Sequence, residues 1–260
     1  MKIIILSLMS LATGFLWWGF PTGTPAQAFE SEPLVIQSTG EGFALVELFT
    51  SQGCSSCPPA DRLLQDLLAD AGDKEVYALS FHVDYWNYLG WKDPYSAAAY
   101  SDRQRTYAKK FHSTRVYTPQ MIVNGTQEFI GSDRTKAALA LAKALAKASN
   151  TFLELKWYPQ SQRLRYEVKG ITEPSLLRIA LVEKKAENSV PRGENRGKRL
   201  SHAQVVQKYE SVNLEKDAAG DLTFEIPEDL DRSQLEIVVY VQNQDSWMIT
   251  GANKLQLRTD

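Results

Sequence analysis

The apolar rhythm of the chain changes character about midway. From Gly42 to about Ser149, short apolar runs alternate with helical patterns. Phe43 to Phe49 is apolar except at Glu47, which reads as a strand covered on both faces. Ala60 to Ala71 sets Leu63, Leu64, Leu67 and Leu68 on one helix face, and Gly72-Asp73 ends it. Val76 to Val83 reads as a second strand. Tyr85 to Tyr95 is an aromatic loop with Gly90 and Pro94 as breakers. Ser96 to Phe111 reads as a helix and Arg115 to Tyr117 as a connector. Met121 to Val123 and Gln127 to Ile130 flank Asn124-Gly125, a strong two-residue hairpin signal. A long Ala/Leu/Lys helix then runs to about Ser149, with Ser132 as its expected N-cap. The order β-α-β-α-β-β-α predicts an α/β class for residues 42–149.

Beyond Asn150 the runs become short and β-type: Thr151 to Tyr158, Arg163 to Val168, Leu176 to Val182, Ala203 to Tyr209, Leu222 to Ile226 and Leu235 to Val241. Gly, Pro, Asn and Asp separate them, a pattern that predicts an all-β, sandwich-like domain over residues 150–260. Glu183 to Ser201 is rich in charge and reads as a long exposed loop. Its Gly193-Glu194-Asn195-Arg196-Gly197 could contact a partner or simply be solvated.

Met1 to Ala28 has the form of a secretory signal peptide: Lys2, an apolar stretch from Ile3 to Phe20, and Ala26-Gln27-Ala28 as the cleavage site. A membrane anchor is the alternative, because the apolar stretch approaches the ~20 residues that a span needs. Cleavage removes Lys2 alone of the charged residues, leaving 28 basic against 31 acidic, a charge near −3. That balance does not point to nucleic acid or an anionic membrane as partner. Export would place the protein in the periplasm or outside the cell.

Candidate chemistry concentrates at Cys54-Ser55-Ser56-Cys57, between the first strand and the first helix; these are both cysteines of the chain. The thiolate is the species that attacks a disulfide, and a cysteine at a helix N-terminus has its thiolate stabilised by unpaired N–H groups and the helix dipole. Two intervening residues bring the second sulfur within bonding reach. Cys54 is thus the expected nucleophile, exposed at the tip of the turn, and Cys57 the shielded resolving thiol. In an oxidising compartment the pair should be closed. A structural disulfide and half of a metal site are the competing readings. Pro58 and Pro59 restrict the helix start. A copper or zinc site would recruit His82, His112 or both, but no metal is assigned. The aromatic loop either buries its own rings or forms a wall beside the cysteines. No Ser-His-Asp set, phosphate-cradling glycine loop or basic-aromatic array stands out, so hydrolase and nucleotide-binding readings lack support.

The placement of Cys54-Ser55-Ser56-Cys57 after strand one and of Thr118-Pro119 before strand three resembles the thioredoxin fold. More closely, the chain is similar to a bacterial family of secreted thioredoxin-like proteins of uncharacterised function. That match is carried by Glu47-Leu48-Phe49-Thr50-Ser51-Gln52-Gly53-Cys54, His82-Val83-Asp84-Tyr85-Trp86, Leu89-Gly90-Trp91-Lys92-Asp93-Pro94 and Tyr117-Thr118-Pro119-Gln120. Pro119 lies 62 residues after Cys57, farther than in a thioredoxin, and the aromatic loop accounts for the excess. The resemblance implies a cis Thr118–Pro119 bond beside the cysteines, with Thr118 pairing its backbone to an extended substrate. Trp86 and Tyr117 are expected to line the same site. It also implies that Glu47 is a buried acid beneath Cys57, which without a cationic partner would act as general base; a salt-bridged or solvated carboxylate at the strand's end is the alternative.

The sequence therefore predicts a thioredoxin-like domain followed by a β-sandwich, exported, exchanging disulfides with protein or small-thiol substrates and using no cofactor. A binding protein with a static disulfide and a copper- or zinc-handling protein are the alternatives.

Overall fold

Every residue of strands β2 (Ala44–Thr50) and β3 (Val76–His82) is buried in the computed structural model, which describes residues 32–257. The cover on each face explains it. Val46, Leu48, Val76 and Ala78 pack under helix α1 (Pro58–Ala71) and helix α3 (Arg134–Leu145). Leu45, Phe49, Leu79 and Phe81 pack on the opposite face with Tyr100 and Tyr107 of helix α2 (Ala98–Lys110). β2 and β3 run parallel, and β2 also pairs antiparallel with β4 (Gln120–Val123). β4 turns through Asn124 and Gly125, both at positive φ, into β5 (Gln127–Ile130), as a tight hairpin requires. Asp133, not Ser132, caps α3: its carboxylate accepts from Lys136 N at 3.0 Å.

The remaining strands are β1 (Leu34–Gln37), β6 (Phe152–Tyr158), β7 (Arg163–Lys169), β8 (Ser175–Ser189), β9 (Arg199–Leu214), β10 (Ala218–Thr223), β11 (Leu235–Asn243) and β12 (Ile249–Gln256). They complete two sheets, one of order β1-β6-β7-β10 and one of order β12-β11-β8-β9-β3-β2-β4-β5. The small sheet lays Leu155, Trp157, Leu164 and Tyr166 over Ile179, Leu181, Ile237 and Val239 of the large one.

This architecture corrects the expected fold class. The described residues are mostly β, twelve strands against three α-helices, with no clear α/β thioredoxin pattern. Strands from both halves of the sequence form one eight-stranded sheet, joined where β3 meets β9 at Ser80 and Val205. The Ser80 hydroxyl donates to Ala203 O across that seam at 2.7 Å. The cause is the length of β8 and β9. Glu183 to Ser201, polar enough to read as a loop, is strand as far as Ser189 and again from Arg199. One face is apolar enough to be covered, through Ala186 and Leu200, while Lys185 and Glu187 pair on the other. Polarity concealed a half-buried alternation.

The proposed signal Met1 to Ala28 lies outside the described residues. Among those described, no helix is long and apolar enough to cross a membrane.

Candidate functional site: the disulfide turn and the polar cluster beneath it

β2 ends at Thr50, and four buried residues, Ser51 to Cys54, carry the chain to α1. Cys57 takes the N-cap position with helical backbone angles, and Pro58 and Pro59 occupy the first two helical positions, where a missing N–H costs least. Cys54 and Cys57 are joined in a disulfide with Cα atoms 5.4 Å apart. Cys57 N donates to Cys54 O at 3.2 Å, and Cys57 O accepts from Ala60 N and Asp61 N. Both cysteines are 0% exposed. The expected exposure of Cys54 is therefore corrected, and the reason lies far along the chain.

That cover is the hairpin between β8 and β9. The Asn195 amide, itself buried, donates to Gln52 O and Cys54 O, both at 2.9 Å. Lys198 Nζ donates to Asn195 Oδ1, which fixes the amide orientation. Glu194 accepts from Ser55 N at 2.8 Å, and hydrogen bonds from Ser55 hold its carboxyl below the usual range. Gly193 and Gly197 both sit at φ +79°, the left-handed region that glycine adopts without strain. The segment expected to be solvated or partner-facing instead straps the disulfide turn of its own chain.

Beneath the turn lies a set of buried polar groups. Gln52 N donates to Asp93 Oδ2 at 2.9 Å, and the same oxygen lies 2.7 Å from His82 Nδ1. Gln52 Oε1 accepts from the Trp91 indole at 3.0 Å, and Gln52 Nε2 approaches His202 Nε2 at 3.3 Å. His202 Nδ1 is 3.4 Å from Asp61 Oδ2, and Thr50 Oγ1 donates to Asp61 Oδ1 at 2.9 Å. Burial disfavours a charged His82, but the Asp93 charge and hydrogen bond outweigh it, and His82 is held above its ordinary pKa. Burial pushes Asp93 upward, and the His82 charge and hydrogen bonds overcome it, so Asp93 is held low.

The two shifts give opposite pH limits. The His82 contribution to stability is complete below its unfolded pKa of about 6.5 and is lost as pH rises through the raised folded value. The Asp93 contribution is present above its unfolded pKa of about 3.9 and is lost as pH falls through the lowered folded value. Urea midpoints of the wild type should therefore decline on the alkaline side of neutrality, and Asp93→Asn should flatten that decline. An unchanged alkaline slope in D93N would show that this pair does not set it.

Trp86 joins the turn to the residues before β4. Its side chain stands against Gly53, where an added Cβ would come within 2.9 Å of the Trp86 Cβ, and its indole donates to Thr118 Oγ1 at 2.8 Å. The Thr118–Pro119 bond is cis. Pro119 and Ala60 of α1 both approach Gly131, within 3.0 and 3.2 Å of where its Cβ would stand. Tyr117, half-buried, donates to Glu128 at 2.5 Å. Trp86, Thr118 and Pro119 thus gather around the start of α1.

Glu47 does not. It is buried, but on the face of β2 that packs against α2, away from α1 and Cys57. Arg103 donates to it at 2.7 Å, and Tyr107 donates to its other oxygen. Glu47 is one arm of a buried ion pair, as in the salt-bridged alternative, and the reading as an unpartnered acid beneath Cys57 is corrected. His82 and His112 are also apart: His82 bonds Asp93, whereas His112 is exposed beyond α2. Among the described residues no cluster of three or more His, Cys, Asp or Glu side chains is arranged to hold a metal ion.

Sequence reasoning missed Asp61, His202 and Gln52 as members of the site, and had Asn195 only within a segment that could contact a partner. Asp61 had a signal, standing three residues before Leu64 on the apolar stripe of α1. His202 had none, because the strand that carries it was expected to begin one residue later.

Among curated proteins, none matches this chain. A crystal structure of an Agrobacterium tumefaciens protein is similar over 85% of this chain and 99% of its own, at 27% identity and a TM-score of 0.66. A domain of the outer membrane lipoprotein Omp28 from Porphyromonas gingivalis aligns with 42% of this chain and 87% of its own, at 15% identity; its TM-score of 0.26 is too low to equate the folds. A family profile described as a protein of unknown function, DUF1223, matches residues 45–242, from β2 through the disulfide turn and its strap to β11, and the chain belongs to that family.

Proposed function

We infer that the protein is a thiol–disulfide oxidoreductase, with Cys54 as the attacking thiol and Cys57 as the resolving one, acting outside the cytoplasm on protein or small-thiol substrates. The observation that carries this reading is the closed Cys54–Cys57 pair at the N-terminus of α1. Reduction would leave Cys54 beside the N-terminus of α1, where the helix dipole favours the thiolate. Trp86, Tyr117, Thr118 and Pro119 are the groups proposed to receive the substrate, with Thr118 offering backbone pairing to an extended segment. The apolar stretch before Ala28 supports export, which would supply the oxidising surroundings.

A static disulfide in a binding protein is the second reading. It is favoured by the burial of both cysteines and by Glu194, whose carboxylate already takes the Ser55 N–H that a Cys54 thiolate could use.

A redox titration against glutathione separates the two. A catalytic couple should give a potential near or above about −230 mV, whereas a structural bond lies below about −300 mV. Cys57→Ser should in addition trap a mixed disulfide on Cys54. A potential in the structural range, with no trapped adduct, would refute the oxidoreductase reading.

A further inference from the structure

We propose that Asp61, backed by His202, is the proton acceptor for Cys57 when that thiol closes the disulfide; this rests on the exchange chemistry proposed above. Cys57 has helical backbone angles and its carbonyl accepts from Asp61 N at 3.1 Å. Residues four apart on a helix face one another, with Cβ atoms about 5–6 Å apart. Asp61 is 3% exposed on a helix face otherwise made of Ala60, Leu63, Leu64 and Leu67. A carboxylate there is unusual unless paired or used.

The proton positions follow from donors that cannot reverse. The Trp91 indole N–H can only donate, so the Gln52 atom that it meets is the amide oxygen, and Gln52 Nε2 faces His202. His202 Nε2 must then accept, which places the imidazole proton on Nδ1, the atom 3.4 Å from Asp61 Oδ2. At that distance His202 Nδ1 is buried without a hydrogen-bond partner, as is His82 Nε2. A buried donor left unpaired is costly at rest. Small movements of His202 or Asp61 would close the gap, so the pair can take up a proton without bulk solvent.

The other groups facing this pair are His82 from β3, whose ring centroid is 4.7 Å from that of His202, with Asp93 behind it. Tyr95 lies against both imidazoles, at 5.3 and 6.2 Å. Thr50 approaches from β2.

The step balances. In a mixed disulfide Cys54–S–S–R, the Cys57 thiol gives its proton to the Asp61 carboxylate and its sulfur attacks Cys54 Sγ. The Cys54–Cys57 bond forms, the bond to R breaks, and R–S⁻ departs with the electron pair. In reverse, an incoming thiolate attacks Cys54, Cys57 leaves as thiolate, and the same proton returns to it.

An aromatic disulfide such as 5,5′-dithiobis(2-nitrobenzoate), mixed with the reduced protein, reads the two steps separately. The first aromatic thiolate is released when Cys54 attacks, the second when Cys57 resolves. Asp61→Asn should slow the second release at neutral pH by at least about tenfold, within the range of general acid–base catalysis. Its pH profile should move to the alkaline side while the first release changes little. His202→Gln should shift the same phase less far, and it decides the matter if D61N does not fold. A merely structural role would change both phases together and leave the profile in place. A wild type that releases no thiolate refutes the exchange reading and this one with it. Two clear phases, with an unaltered second profile in the variants, refute the proton acceptor alone.

Discussion

Asn195→Ala should make the Cys54–Cys57 disulfide reducible by dithiothreitol about 5- to 150-fold faster. Asn195 is fully buried and its amide holds two carbonyls of the disulfide turn, Gln52 O and Cys54 O. Each such bond contributes about 0.5–1.5 kcal/mol net, so losing both removes roughly 1–3 kcal/mol from the closed state of the strap. If opening limits access to Cys54, that loss raises the open population by about 5- to 150-fold, at about 1.4 kcal/mol per factor of ten. Val190 at the base of the strap is buried, but beyond it Pro191, Arg192, Glu194, Arg196 and Lys198 are all exposed. Global stability should therefore fall far less than the reduction rate rises. The measurement is the appearance of free thiol after mixing, beside a urea midpoint for each protein. Equal reduction rates in variant and wild type would show that the strap does not gate the site.

Arg103→Met should cost the fold about 3–5 kcal/mol, because it strips the cation from a buried carboxylate. Arg103 is 6% exposed and donates to Glu47 at 2.7 Å, to Gln242 Oε1 at 3.2 Å, and to the hydroxyls of Tyr107 and Tyr240 at 3.2 and 3.0 Å. The guanidinium also lies 5.1 Å from the Tyr107 ring centroid and 5.2 Å from that of Trp247. These partners come from β2, α2, β11 and the β11–β12 turn, so one side chain ties the two halves of the sequence to each other. With Arg103 gone, Glu47 must ionise without compensation or take up a proton. Glu47→Leu combined with Arg103→Met removes the charge as well, and should recover most of the loss, as apolar replacement of buried pairs often does. Urea unfolding of the wild type, R103M and the double variant checks this. A double variant no more stable than R103M would mean that lost packing, not a stranded charge, carries the cost.

Much of the first half of the chain could be read from periodicity, because its elements are governed by local rules. The apolar face of α1, the Asn124-Gly125 turn between β4 and β5, and the strands β2 and β3 all lie within two residues of their sequence limits. Cys54 and Cys57 were legible because two-residue spacing at a strand-to-helix turn leaves few alternatives. β12 was missed, since Gly251, Asn253 and Lys254 break its apolar count and only pairing with β11 holds it as a strand. The polar ends of β8 and β9 were missed for a related reason: their alternation is set by what covers them, and the cover comes from elsewhere.

What the sequence by itself determined, then, is the set of local decisions: where helices start, where the hairpin turns, and which two sulfurs can meet. Periodicity, proline placement and turn chemistry act within a few residues, so they survive without a tertiary context. The tertiary structure alone decided the fold class, because β3–β9 pairing merges the two halves into one sheet. It alone decided the site's surroundings as well. Asn195 reaches Cys54 from 141 residues away, and His202 approaches Asp61 across the same seam. Arg103, an unremarked cation on a helix in the sequence, became the partner of Glu47 only when α2 was laid across β2. Burial turns such polar residues from solvated surface into obligatory partners, and burial is a property of the assembled sheet.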